Sequence, residues 1–158
     1  MILPQFYTDD IIKRAILEDI NYVDVASDYL ISEEQRNEAY FVSKADGVLC
    51  GIDVAMRVFE LLDDSFTAKV YMHDGDKVKK GDLIAEFSGK TTLLLKGERT
   101  ALNLLQHMSG IATATAKAVK LCEGTKASIA DTRKTLPSQS FTASKIRGNL
   151  RRRQKPPF

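Results

Sequence analysis

The sequence predicts an α+β chain: one α+β domain reaching to about residue 112, followed by the start of a second, α/β unit. Three observations carry this. Helical apolar spacing flanks a β-rich block between residues 39 and 88. That block is punctuated by Asp-Gly and Gly-Asp turn signatures. The longest helical pattern, residues 97–122, is followed by a single buried-type β run at 126–131. Apolar residues at 44% and charged residues at 28% fit a globular protein. No stretch approaches the roughly 20 apolar residues of a membrane helix. Met1-Ile2-Leu3-Pro4 lacks the basic-then-apolar run of a signal peptide, so a cytoplasmic location is expected.

Taken in order, Asp9-Asp10 precede Ile11, Ile12, Ala15 and Ile16, which predicts a helix with an acidic N-cap region and one core-facing side. Residues 20–31 read as irregular, and 32–35 as a turn or helical start. Ala39-Tyr40-Phe41-Val42-Ser43 and Gly47-Val48-Leu49-Cys50 read as strands joined through Asp46-Gly47 as a hairpin. Of the two aromatics, both are expected in the core. Residues 52–62 return to helical spacing. Val70-Met72 and residues 83–87 read as strands. The turns 73–76 and 79–82 lie between them, each with a Gly-Asp pair, and Val78 is expected to face inward. This two-turn pattern resembles the hammerhead of lipoyl domains. Thr91 to Leu95 is β-capable. The long helix then carries an apolar stripe of Ala101, Leu102, Leu105, Met108, Ile111, Ala112, Thr115 and Val119. Gly110 inside it is expected to serve close packing, since an interior glycine costs about 1 kcal/mol against alanine, and Gly124 to stop it. No internal repeat is evident, and no periodicity survives Pro137.

Candidate chemistry clusters at two places. Glu98-Arg99-Thr100-Ala101-Leu102-Asn103 opens the long helix on this reading, where unpaired N–H groups and the dipole favour anions and Arg99 adds a fork for a carboxylate; the alternative is a solvated first-turn arginine. Thr132-Arg133-Lys134 lie at the carboxyl end of the 126–131 run, where α/β folds bind ligands; the alternative is a polar loop. His73 and His107 have no sequence partner and are expected to be structural. Cys50 and Cys122 lack metal-ligand spacing and are expected to be reduced, mostly buried thiols.

Several of these segments together resemble one family. The run Gly47-Val48-Leu49-Cys50-Gly51 is followed by Asp74-Gly75-Asp76 and Lys80-Gly81-Asp82. Then come E-R-T-A-L-N, Leu105-Gln106-His107-Met108-Ser109-Gly110-Ile111-Ala112-Thr113 and D-T-R-K-T-L-P. Over residues 8–137 this order is similar to quinolinate phosphoribosyltransferase, also called nicotinate-nucleotide pyrophosphorylase (carboxylating). The resemblance implies a hammerhead-like α/β sandwich at residues 1–112. It further implies that residues 113–137 are the first helix and strand of an incomplete α/β barrel. It implies transfer of phosphoribosyl from phosphoribosyl pyrophosphate, with Mg²⁺, to quinolinate, giving nicotinate mononucleotide, pyrophosphate and CO₂ in NAD biosynthesis. Arg99 matches an arginine given to quinolinate across a homodimer, Arg133 a second quinolinate arginine, and Thr132 and Lys134 its flanking pocket residues. No membrane and no nucleic acid are implied.

The resemblance stops after Pro137. The family goes on through a C-G-G-G-K-N-H-R-F segment and later strands bearing its catalytic lysine, glutamate and aspartate. No catalytic counterpart follows in this sequence, so the chain alone is expected not to turn over quinolinate. Residues 138–158 form a basic tail, expected to be disordered. Its six basic residues (Lys145, Arg147, Arg151, Arg152, Arg153, Lys155), removed from 23, leave 17 against all 21 acids, so residues 1–134 carry about −4. Codons TGC GGC GGC GGC AAA AAC CAC CGT TTT, read from the third base, give Arg-Arg-Arg-Gln-Lys-Pro-Pro-Phe, the sequence of residues 151–158. The tail is therefore expected to be a frameshifted reading of the family segment. Three other readings stay open: a lipoyl- or biotinyl-carrier module with Lys77 modified, a nicotinate phosphoribosyltransferase relative, and a nucleic-acid binder using residues 145–155.

Overall fold

A computed structural model describes residues 4–20 and 25–130. The elements run α1 (Gln5–Asp19), α2 (Val25–Leu30), β1 (Arg36–Val42), β2 (Gly47–Val48), α3 (Ile52–Glu60), β3 (Thr67–Val70), β4 (Lys77–Val78), β5 (Leu83–Lys90) and α4 (Thr91–Leu121). The α+β expectation holds. An antiparallel sheet has the order β1-β5-β3, and β2 pairs with β4 in a second, two-stranded sheet. Register sets the faces. Ala39 and Ala68 flank Phe87, and Phe41 and Val70 flank Ala85, so one face is apolar. Tyr40 and Lys69 flank Glu86 on the other. One face packed and one wetted is the usual state of an antiparallel sheet.

Helix α3 lies at the centre. Ile52, Val54, Ala55, Met56, Val58 and Phe59 are all buried, leaving Asp53 and Glu60 outward. A helix apolar over so wide an arc needs neighbours on several sides. The sheet supplies one through stacked and tilted contacts among Phe41, Phe59, Phe66 and Phe87. Helices α4 and α1 supply others, α1 through Ile12 and Ile16. Arg57, the half-buried cation of α3, gives Nε and Nη2 to Asp9 and Nη1 to Glu60, each at 2.9 Å. That hydrogen bond from Arg57 is the main reason the Asp9 carboxyl sits below its usual range.

The two Gly-Asp turns are built alike. His73 N–H donates to Asp76 Oδ2 (2.7 Å) and Lys79 N–H to Asp82 Oδ2 (2.8 Å). Each aspartate N–H bonds back to the carbonyl three residues earlier, a side-chain-closed turn of the kind aspartate favours. Gly75 and Gly81 supply the positive φ, 99° and 95°. Both turns then clasp one segment: Gly81 and Asp82 exchange bonds with Ser43, and Gly75 and Asp76 with Leu49, all at 2.8–2.9 Å. The two-turn pattern read from the sequence is thus matched in the hydrogen bonding, and Val78 between the turns is buried as expected.

Several expectations are corrected. α1 begins at Gln5 with Pro4 as N-cap, so Asp9 and Asp10 lie inside it, serving Arg57 and Arg14. Residues 25–30 are helical rather than irregular. β1 and β2 do not form a hairpin, because the Gly-Asp turns take the bonds a hairpin would use and Asp46 accepts from Lys80 N–H instead (2.9 Å). Phe41 is core, but Tyr40 faces solvent. Thr91–Leu95 is the start of α4, not a strand. Gly110 meets nothing within 4 Å among the described residues; close packing belongs to Gly97, whose missing Cβ leaves room for the Phe59 ring at 2.8 Å. Residues 126–130 form no strand and are mostly exposed, having no neighbouring strand among the described residues to pair with. The apolar stripe of α4 is likewise buried only to Met108, with Ile111 partly exposed. The tail at 138–158 lies outside the described residues.

Candidate functional site

β5 passes into α4 without a loop. Lys90 N–H donates to Asp63 Oδ2 and Thr91 N–H to Gln35 O, each at 2.8 Å, so two first-turn donors are met from outside the helix. Burial alone would push the Asp63 carboxyl up. Hydrogen bonds from Ser65 Oγ and the N–H groups of Lys90 and Ser65, with the nearby Arg36 charge, bring it below its usual value. This early start overturns part of the sequence argument. Arg99 lies more than two turns inside α4, beyond the first turn in which a helix dipole acts. Its claim on an anion rests on its own guanidinium.

E-R-T-A-L-N divides cleanly. Thr100 and Ala101 are buried against the domain, and Glu98, Arg99 and Asn103 face outward. Thr100 Oγ1 is buried with no hydrogen-bond partner among the described residues. The Arg99 side chain is 74% exposed, and its Nη1 donates to Asp19 Oδ1 at 2.9 Å. One turn earlier, Lys96 Nζ is ion-paired with Asp28 of α2. Two acids of the N-terminal helices thus hold two cations of α4. Asp19 and Asp28 were not singled out by sequence, because nothing local marks a partner 80 or 68 positions away. Thr132, Arg133 and Lys134 lie outside the described residues, so Arg99 is the predicted site residue whose surroundings are visible.

On another side of α4 runs a groove of about 840 Å³ between β1, the 43–49 segment and the helix, lined by Val42, Val48, Leu95, Leu102 and Thr113 among others. Arg99 does not line it. Along one wall the helix acts as a surrogate strand. Val48 N–H donates to Thr113 Oγ1 (2.9 Å), Cys50 N–H to Ser109 Oγ (3.0 Å), and Ser109 Oγ returns a bond to Cys50 O (3.2 Å). This gives the S-G-I-A-T segment a structural meaning: hydroxyls one turn apart match the repeat of alternate strand residues.

The remaining candidates are placed as follows. His73 is exposed in its turn and His107 exposed on α4, so neither ring packs in the core. Cys50 is buried and Cys122 half-buried, both free thiols. No group of three or more His, Cys, Asp or Glu among the described residues could hold a metal. Lys77 lies within β4 opposite Val48, not at a hairpin tip where a carrier lysine would stand. No helix among the described residues is long and apolar enough to cross a membrane.

Arg99 is thus an outward arginine on an α+β domain that carries two clasping Gly-Asp turns. Comparison with known proteins places that domain. Residues 24–109 match the family model of the quinolinate phosphoribosyl transferase N-terminal domain. A probable nicotinate-nucleotide pyrophosphorylase [carboxylating] of Bacillus subtilis is 40% identical over 80% of this chain and 44% of its own length. A mitochondrial quinolinate phosphoribosyltransferase [decarboxylating] 2b of Nicotiana tabacum is 36% identical over 85% and 38%. Among solved structures, NadC from Streptococcus pyogenes superposes with a TM-score of 0.89 at 34% identity, covering 94% of this chain and 53% of that one. The nicotinate-nucleotide pyrophosphorylase from Francisella tularensis gives 0.85 at 30%. The chain belongs to the quinolinate phosphoribosyltransferase family, and it spans about half the length of the relatives it matches.

Proposed function

We propose that this chain supplies the quinolinate-gripping half-site of a cytoplasmic phosphoribosyltransferase. The enzyme joins quinolinate to phosphoribosyl pyrophosphate and releases pyrophosphate and CO₂, yielding nicotinate mononucleotide. The observation that carries the reading is Arg99: it is outward-facing on E-R-T-A-L-N and, among the described residues, engaged at a single nitrogen, in a chain of this family.

The chemistry suits that placement. Quinolinate carries two adjacent carboxylates, and a guanidinium holds one bidentately while staying charged at any working pH. Phosphoribosyl transfer to the ring nitrogen makes the ring cationic, and that ring accepts the electron pair left as CO₂ departs from the neighbouring carbon. The protein's part is orientation and charge stabilisation. Arg99 anchors a carboxylate, and Thr132, Arg133 and Lys134 complete the pocket. Arg99 does not line its own chain's groove, which supports donation to a site shared with a second copy. Mg²⁺ arrives with the phosphoribosyl pyrophosphate.

Calorimetric titration tests the reading. Quinolinate is expected to bind more tightly than nicotinate, which has one carboxylate. Arg99→Ala should weaken quinolinate by about 1.5–3 kcal/mol, the scale of a hydrogen bond to a charged group. Equal quinolinate affinity in wild type and Arg99→Ala would refute it.

A further inference from the structure

Two arginines elsewhere in the fold are each held at more than one nitrogen. Arg57 has all three nitrogens engaged by Asp9 and Glu60. Arg36 gives Nη1 to Ser65 Oγ (2.6 Å) and Nη2 to Ser65 O (3.0 Å). The exposed Arg14 pairs through Nη2 with Asp10 one turn away in α1. Arg99 is held at Nη1 by an acid distant in sequence, and its Nε–Nη2 edge, which offers two parallel donors, has no partner among the described residues. The holder and the held also differ in exposure: the Asp19 side chain is 21% exposed, the Arg99 side chain 74%.

Asp19 is oddly placed for a stabilising role. It is the last residue of α1, whose last turn has no basic residue. A carboxylate there opposes the partial negative charge of the helix C-terminus. An exposed pair of this kind adds little to stability. What it does accomplish is geometric. A mostly enclosed carboxylate fixes one end of a long, rotamer-rich side chain and leaves the carboxylate-binding edge facing outward.

We propose that Asp19 is a positioning residue for Arg99, pre-orienting its free Nε–Nη2 edge toward the incoming carboxylate. This rests on the reading of Arg99 as a dicarboxylate anchor. Two consequences of Asp19 oppose one another. Its charge repels a dianion, whereas its bond removes side-chain freedom that binding would otherwise have to freeze. The two are separable, because Asp19→Asn removes the charge but keeps an acceptor oxygen, and Asp19→Ala removes both.

The test uses the whole chain with ¹⁵N-labelled arginine, following the Arg99 Nε–H signal while quinolinate is added. Circular dichroism confirms that both variants stay folded. Positioning predicts that Asp19→Ala binds roughly three- to tenfold more weakly, the scale of one immobilised side chain, and that Asp19→Asn stays close to wild type. If both variants bind as tightly as wild type or tighter, Asp19 is only a competing charge; the inference falls and the anchoring role of Arg99 stands. If quinolinate fails to move the Arg99 signal in the wild type, the anchoring role itself falls and the inference with it.

Discussion

Gly97 and Gly110 sit on the same helix and should respond oppositely to the same change. A Cβ on Gly97 would lie 2.8 and 2.9 Å from two carbons of the Phe59 ring and 3.1 Å from Leu62 Cδ1. The ring has little room to yield: Phe59 is 2% exposed and stacked on Phe66 and Phe87. Forcing extra volume into such a site costs ~1–3 kcal/mol, against about 1 kcal/mol gained when alanine replaces glycine in a helix. Gly97→Ala should therefore range from neutral to ~2 kcal/mol less stable. At Gly110 a Cβ meets nothing within 4 Å among the described residues, so Gly110→Ala should keep the whole helix gain and be ~1 kcal/mol more stable. The chain has no Trp, so urea unfolding is best followed by far-ultraviolet circular dichroism. The midpoints should move apart at unchanged slope. Equal stabilisation by both substitutions would refute the packing argument, and with it the view that α4, and so Arg99, is seated by contact of its backbone with α3.

Three further outcomes follow from the same geometry. Asp74 Oδ1 accepts from Gly51 N–H (2.6 Å) and Ile52 N–H (3.0 Å) at the start of α3, so Asp74→Ala should lose ~1–2 kcal/mol in denaturant unfolding; an unchanged midpoint would show that water replaces the cap. Thr113→Val keeps the shape but leaves Val48 N–H without its acceptor, for about 1–3 kcal/mol; hydrogen exchange at Val48 should accelerate, and unaltered protection would contradict the surrogate-strand role. Asp63 and Asp9 both have carboxyls held below the usual 3.8. Their contribution is complete above that value and is lost as pH falls through it toward the folded-state values. Asp63→Asn should flatten part of that acid loss in stability measured against pH, and an identical acid profile would exclude Asp63 from it.

The local residues determined a good deal. Apolar spacing located α1, α3 and α4 because a helix must turn one stripe inward, and Gly-Asp pairs located both tight turns because few other residues close them. The motifs E-R-T-A-L-N and S-G-I-A-T pointed to the family before any coordinates. Strand partnership was not legible. Asp46-Gly47 suits a hairpin as well as a cross-loop bond, and only the competing turns at 73–76 and 79–82 decide between them. The start of α4 was hidden for the same reason: Thr91–Leu95 suits either state, and Asp63 and Gln35, which satisfy the backbone donors there, are distant in sequence. The grip on Arg99 was the least visible feature, since a single carboxylate 80 residues away carries no pattern. Sequence fixes what short-range sterics and periodicity dictate; which of two equally good local states is occupied, and which charge meets which, is set by long-range packing.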